Sequence, residues 1–189
     1  MAMKNDFRRT AGSIFILLSL STLSLYAQGG MSQSENLLSS DSLLHAARII
    51  IDSANCRVLI TVDENGKPHA REMAPFSPEN DWVIWLGTSP VSRKVKQIQN
   101  NPDVVVYYYD PDGMSYVSIA GKARLVDDPD KKAKYWRESW KVLYPDRDKD
   151  YILIQVTPEV LEVASVKYQI FWGPSWAPQS FDFISNKSK

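Results

Sequence analysis

The residues best suited to chemistry fall in one stretch, residues 85 to 102, which reads WLGTSPVSRKVKQIQNNP. An apolar run ends there at Thr88, a Ser-Pro turn follows, and Ser92, Arg93 and Lys94 begin a helix-like segment that Pro102 closes. A helix N-terminus offers unpaired N–H groups and a partial positive charge, so two cations in its first turn are unfavourable unless an anion binds there. The stretch therefore predicts a phosphate site. The alternative is an ordinary surface helix with solvated cations, and these residues alone do not separate the two.

Other residue types that catalyse reactions or bind metals are sparse. The chain has two histidines, His45 and His69, and a single cysteine, Cys56, which cannot form an internal disulfide and is expected to be a buried structural thiol. These residues form no zinc-binding pattern and no nucleophilic triad, so no metal site is predicted and the catalytic residues stay unknown. Asp127 and Asp128 precede a proline and are expected to cap a helix rather than act as a catalytic pair.

The composition is that of one globular domain. The chain has 189 residues, a formal net charge of zero and 44% hydrophobic residues, which is enough for a full-sized core. Because there is no basic excess, nucleic acid is not expected as a partner. Six Trp, nine Tyr and six Phe favour a β-rich core and a flat ligand.

Residues 1 to 27 have the layout of a cleavable signal peptide. Lys4, Arg8 and Arg9 precede an apolar run over residues 14 to 25, and a small-residue cleavage site falls near Ala27. The run is short for a membrane span, so a retained anchor is the lesser alternative. We therefore expect an exported, periplasmic protein with no stable membrane association after leader removal. The twin arginine leaves the export route open.

The rest of the chain predicts a flexible lead-in over residues 28 to 39 and a single domain over residues 40 to 189. Periodicity predicts one helix from near Ser40 to Asn55 and another from Asp127 to about Trp140. Strands are predicted over residues 57–62, 68–76, 82–88, 104–109, 115–126, 151–156 and 160–165, with a bulge or sharp bend at Gly121. These short strands, joined mainly by hairpins and flanked by helices, predict a mainly β fold: a closed antiparallel barrel of six to seven strands.

From about Ser40 to Trp172, the order of motifs resembles the pyridoxamine 5′-phosphate oxidase-like FMN-binding split barrels, in particular their general stress protein branch. Four pieces carry the resemblance, and a fifth, weaker one is Phe171-Trp172-Gly173. The four are Arg71-Glu72-Met73, Trp85-Leu86-Gly87-Thr88, Ser92-Arg93-Lys94, and the strand YVSIAGKARLVDDP over residues 116–129. Each motif alone is common, and it is their order and spacing that indicate the family.

The resemblance implies a homodimer with FMN in clefts at the subunit interface and a small-molecule substrate. It implies that Arg93 and Lys94 bind the FMN phosphate, that Thr88 contacts the ribityl-phosphate and that Arg71 contacts the flavin or phosphate. Tyr116 falls where the family has a flavin-contacting Gln, and Trp172 or its copy in the partner could stack on the ring system. The full set of cofactor-binding candidates is Arg71, Glu72, Met73, Ala74, Thr88, Ser92, Arg93, Lys94, Tyr116 and Trp172.

The chain also departs from the founding enzyme of that family. Phe76 stands where that enzyme has a substrate-binding Lys, and no His follows His69, so the C-terminal Arg-x-His motif is missing. Oxidation of pyridoxamine phosphate is therefore not expected. The leading function is an FMN-dependent oxidoreductase acting on a small molecule.

Two alternatives remain open at the level of sequence. The first is a non-catalytic flavin- or haem-binding module, for which His45 or His69 would be the candidate haem ligand. The second is a barrel that has lost its cofactor and acts only as a stress-related interaction protein.

Overall fold

The computed structural model describes residues 37–173 and 176–186. The predicted signal peptide over residues 1–27 and most of the predicted lead-in lie outside the described residues. Both stay predictions. No helix in the described ranges is long and apolar enough to cross a membrane.

The described chain forms seven strands and a few short helices. The helix predicted to begin near Ser40 begins at that residue, with the Ser39 hydroxyl accepting from the Ser42 N–H as its cap. In chain order the elements are α1 (Ser40–Ser53), β1 (Cys56–Val62), β2 (Pro68–Glu72), β3 (Ile84–Thr88), α2 (Arg93–Asn100), β4 (Asp103–Asp110), β5 (Ser115–Val126), α3 (Pro129–Lys134), a 3₁₀ turn (Glu138–Val142), α4 (Arg147–Asp150), β6 (Ile152–Ser165), β7 (Gln179–Asp182) and α5 (Phe183–Asn186).

All the strands pair antiparallel in one sheet. Its order is β2-β1-β4-β5-β6-β3, and β7 also pairs with β6. The prediction of a mainly β antiparallel fold is confirmed, but the prediction that the barrel closes is wrong, because β2 and β3 do not pair within the described residues. β2, predicted to reach Phe76, ends at Glu72. The segment that follows contains Pro75 and Pro78, which lack the N–H that a ladder requires.

The bulge predicted at Gly121 is confirmed. The register between β5 and β6 shifts after Ala120, so that Ala120 faces Val160 while Gly121 faces Pro158. Glu159 is the extra residue, and a Cβ on Gly121 would collide with the Thr157 carbonyl oxygen. The two strands predicted on either side of residues 157–159 are therefore one strand, because the bulge absorbs the turn-forming residues.

The main core lies between the inner face of the sheet and α1. Directly paired residues on neighbouring strands share a face, and the inward row that crosses β1, β4, β5 and β6 is Leu59, Val106, Ile119 and Leu161. Each of these four side chains is fully buried. Burying one such side chain stabilises a protein by roughly 1.5–3 kcal/mol. The packed core therefore extends across four neighbouring strands of the sheet.

A second, aromatic cluster explains why the helix predicted to reach Trp140 ends at Lys134. Tyr135 leaves the helical conformation, and its ring stacks on Trp85 at a centroid distance of 4.7 Å. Its hydroxyl donates to the Glu79 carboxylate, and its carbonyl accepts from the Tyr151 hydroxyl. Packing of this one side chain outweighs the local helical preference.

Candidate cofactor site

The predicted anion site is built on the turn between β3 and α2. Thr88 is the last residue of β3 and is buried, and Arg93 is the first residue of α2. The Lys94 ammonium donates to Thr88 Oγ1 at 2.9 Å, and the Thr88 and Ser92 hydroxyls lie 3.2 Å apart. Ser92 occupies the N-cap position, but its side chain does not cap the helix. Its hydroxyl is engaged with Thr88, and the first turn of α2 keeps unpaired N–H donors.

Arg71 reaches the same place from β2. Its Nη1 donates to the Leu59 carbonyl at 3.2 Å and to Thr61 Oγ1 at 2.7 Å, and its Nη2 donates to Gln97 Oε1 at 3.1 Å. The Thr61 hydroxyl donates to the same Gln97 oxygen at 2.6 Å. Arg71 is thus fixed by neutral acceptors alone, which orient its guanidinium without cancelling the charge.

The electrostatics of the site show a concentration of positive charge. Burial lowers the pKa of Lys94, and the positive charges of Arg71 and Arg93 lower it further. Burial also lowers the pKa of Arg71, with Arg93 adding to the effect. No carboxylate oxygen of the described residues lies within 4 Å of any of these three cations, whereas Lys96 on the same helix has Glu64 at 3.8 Å.

The residues present fit a phosphate group. A phosphate monoester carries about two negative charges near neutral pH. An arginine fork, a point-charge lysine, two hydroxyls and a helix N-terminus are the donors that such a dianion uses in proteins. The predicted site residues that the structure brings together here are Arg71, Thr88, Ser92, Arg93 and Lys94.

The other candidates on the β2 side lie beside this cluster rather than in it. Glu72 is exposed, on the sheet face opposite to that of Arg71. Met73 is half-buried against the main core, and its N–H donates to the Arg57 carbonyl at 2.9 Å. Ala74 is exposed. Met73 and Ala74 therefore offer backbone groups rather than charged side chains.

Tyr116 and Trp172 are not brought to the cluster within one chain. Tyr116 lies on the outer face of the sheet, because it is three residues from the inward-facing Ile119, and it stacks on Tyr107 at a centroid distance of 5.5 Å. Trp172 is 41% exposed and lies 6.1 Å from the exposed Trp176 ring. Both aromatic side chains are thus accessible on the described surface.

Thr61 and Gln97 are the site residues that sequence reasoning missed. Both are buried. Gln97 follows Arg93 by four residues and so lies on the same face of α2. Thr61 is a polar residue at an inward position of β1, next to Leu59 in the alternation. The spacing of Gln97 from Arg93 and the inward position of Thr61 are visible in the sequence. Only the packing of α2 on β1 shows that the two side chains meet.

The two histidines lie in different surroundings, and a haem ligand among them stays a prediction. His45 is an exposed residue of α1. His69 Nε2 lies 2.9 Å from Asp63 Oδ2, and this hydrogen bond, with smaller contributions from the backbone N–H groups of Lys67 and Asn65, lowers the pKa of Asp63 to about 2.

The comparisons with known proteins agree with this fold. Residues 44–168 match the family described as "Pyridoxamine 5'-phosphate oxidase like". The chain is 31% identical over 114 residues to General stress protein 26 of Bacillus subtilis (strain 168), covering 58% of this chain and 79% of that protein.

Two of the similar solved structures illustrate the likeness. General Stress Protein 26 of Bacillus anthracis str. Sterne has a TM-score of 0.55 at 32% identity, covering 64% of this chain and 92% of that one. A pyridoxamine 5′-phosphate oxidase-related, FMN binding protein of Nostoc punctiforme PCC 73102 has a TM-score of 0.53 at 16% identity, covering 75% of this chain and 93% of that one. The second likeness shows the fold alone, and with it the split-barrel prediction is confirmed.

Proposed function

Because the chain belongs to the pyridoxamine 5′-phosphate oxidase-like family and carries the cation cluster described above, we propose that it binds FMN and acts as an oxidoreductase on a small molecule. The single observation that carries the proposal is the group of Arg71, Arg93 and Lys94, which no carboxylate of the described chain neutralises. Three cations held together, two of which (Arg71 and Lys94) have lowered pKa values, are unfavourable in the free protein, and a dianionic phosphate relieves that cost.

The chain's own residues would bind and orient the cofactor. Arg93, Lys94 and the first N–H groups of α2 would hold the phosphate, with Thr88 and Ser92 as hydroxyl partners. Arg71, held in place by Thr61 and Gln97, would contact the same phosphate group. Bound FMN would supply the hydride chemistry.

The side chain of Phe76 does not favour pyridoxamine phosphate as the substrate. Its ring packs edge-on against Tyr135 and Trp140 at centroid distances of 5.2 and 5.7 Å, so this side chain belongs to the aromatic cluster. It provides no cation for a substrate phosphate. The substrate would therefore differ from that of the founding enzyme.

The proposed assembly is a homodimer, and the outer face of the sheet supports it. Tyr107, Tyr109 and Tyr116 form an aromatic surface there, in which Tyr109 is directly opposite Tyr116 and is 37% exposed. A second copy covering this face would bring Tyr116 to a partner's surface. This arrangement would explain why Tyr116 does not reach the cation cluster within its own chain.

The test is flavin binding by purified protein. The absorbance spectrum should show flavin bands after purification or after addition of FMN, and not the Soret band of a haem protein. Replacing Arg93 and Lys94 together (Arg93→Ala, Lys94→Ala) should weaken FMN binding by at least about a hundredfold, because each charge-assisted contact contributes roughly 1.5–3 kcal/mol. Fluorescence titration measures the change.

The matched control is Lys96→Ala, which removes an exposed cation from the same helix. It should change FMN affinity less than about threefold. Unchanged affinity in the double variant, or an equal loss in the control, would contradict the phosphate assignment.

A further inference from the structure

A second cationic cavity lies on the inner side of β1, apart from the cation cluster. Its volume is about 240 Å³. It is lined by Ile51, Arg57, Pro75, Phe76, Ser77, Tyr108 and Arg137. Ligand pockets for drug-sized molecules run from about 300 Å³ upward, so this cavity suits a small molecule or one end of a larger one.

The lining carries two positive charges and no acidic residue. Arg137 donates through Nη2 to the Pro75 carbonyl at 3.1 Å, and its guanidinium lies over the Phe76 ring, 4.8 Å from the centroid. Its other N–H groups make no hydrogen bond to the described residues. Arg57, at the start of β1, is half-buried, and its side chain forms neither a hydrogen bond nor an ion pair with the described part of the chain.

A buried hydroxyl in the lining also lacks a partner. Tyr108 is 1% exposed, and its hydroxyl makes no hydrogen bond to the described residues. Leaving such a group unsatisfied is unfavourable, so a protein keeps one where something else binds it. Burial raises the pKa of Tyr108 far above its usual range, against a smaller opposing effect of Arg57, so the hydroxyl stays a donor at neutral pH.

These donors have the composition of a carboxylate site with an apolar side. An ordered water alone could satisfy Tyr108, but it would leave the two guanidinium charges of the lining without an anion. Ile51, Pro75 and Phe76 give the remaining wall an apolar surface that suits a ring or a short hydrocarbon.

We propose that this cavity binds a small organic acid, whose carboxylate is received by Arg57, the Tyr108 hydroxyl and the free N–H groups of Arg137, and whose apolar part lies against Phe76. The site is separate from the phosphate cluster. Arg57 and Thr61 share the inner face of β1 and are four residues, or about 13 Å, apart along the strand. Binding of the acid does not require the proposed flavin.

The probe is benzoate, with its neutral analogue benzamide as the charge control, titrated by calorimetry into the purified protein. Saturable benzoate binding is expected, and at least about tenfold weaker binding of benzamide. Tyr108→Phe removes only the hydroxyl, so it should weaken benzoate about tenfold without lowering the unfolding midpoint of the free protein. Arg57→Gln should weaken benzoate binding about ten- to a hundredfold. The benzoate affinity of Arg57→Lys should lie between that of Arg57→Gln and that of the unsubstituted protein.

A control separates this site from the phosphate cluster. The double variant Arg93→Ala, Lys94→Ala should keep its benzoate affinity whatever it does to FMN binding. The proposal is overturned if benzoate does not bind saturably, if benzamide binds equally well, if Tyr108→Phe and Arg57→Gln keep full affinity, or if benzoate binding is lost in the double variant instead.

Discussion

At the scale of single residues, the most informative contact is the one between Arg71 and Gln97. The glutamine oxygen accepts from both Arg71 and Thr61, so it orients the guanidinium while leaving its charge available. Gln97→Glu keeps the shape but places a negative charge against Arg71. We expect FMN affinity to fall by about tenfold or more, because the cluster loses the net charge of one cation. Fluorescence titration with FMN measures the loss.

Gln99→Glu is the matched control. Gln99 is an exposed residue of the same helix, and the substitution makes the same change in formal charge. It should leave FMN affinity within about threefold. If Gln97→Glu binds FMN as tightly as the Gln99 variant does, Arg71 is not part of the phosphate site.

The same residues show how far sequence reasoning could reach. Arg93 and Lys94 were found because two cations at a predicted helix start conflict with the helix dipole, a conflict that the sequence itself contains. Thr61 and Gln97 were not found, because a lone Thr in a strand and a lone Gln in a helix are ordinary. Only the packing of α2 over β1 makes them partners of Arg71.

At the scale of elements, the bulge between β5 and β6 keeps β6 continuous. The long strand pairs with both β5 and β3, and β3 ends at Thr88 in the site. We expect Gly121→Ala to destabilise the protein by about 1–3 kcal/mol, because the new methyl group would have to displace the Thr157 carbonyl. Urea unfolding at neutral pH measures the loss.

Gly173→Ala is the comparison, since the nearest atom to a Cβ there is 3.9 Å away. Its free energy of unfolding should change by less than about 0.5 kcal/mol. Equal stability of the two variants would mean that the strand pair relaxes around Gly121 at no cost.

The elements were largely predictable from pattern, but their ends and joins were not. Alternation and turn residues located every strand from β1 to β6. The prediction of two strands around Pro158 is wrong because a bulge accommodates that residue, and the predicted helix ends early, at Lys134, because Tyr135 stacks on Trp85. Both errors arise from contacts between segments that are distant in sequence.

At the scale of the whole molecule, the aromatic surface formed by Tyr107, Tyr109 and Tyr116 leads us to expect a dimer. Tyr116→Arg would place a charge in the middle of the proposed dimer interface, where it would be desolvated. We expect light scattering to give the mass of a dimer for the unsubstituted protein and the mass of a monomer for this variant. FMN binding should also be weaker in the variant if the interface completes the site.

Val142→Arg serves as the control, because Val142 is 87% exposed and lies on the 3₁₀ turn, not on the strands that carry the outer tyrosines. It should remain dimeric. An unsubstituted protein that is monomeric at all concentrations would contradict the homodimer.

The depressed pKa of Lys94 has a thermodynamic consequence: cofactor binding should be linked to proton uptake at alkaline pH. In the free protein the pKa lies below 10.5, and a bound dianion should move it upward. As pH rises through the free-protein pKa, the unliganded form releases a proton that the complex retains, so affinity should be greatest below that pKa and fall above it. Calorimetry in buffers of different ionisation enthalpy counts the protons taken up. Lys94→Arg, which stays charged, should abolish the uptake, and undiminished uptake would assign it to another group.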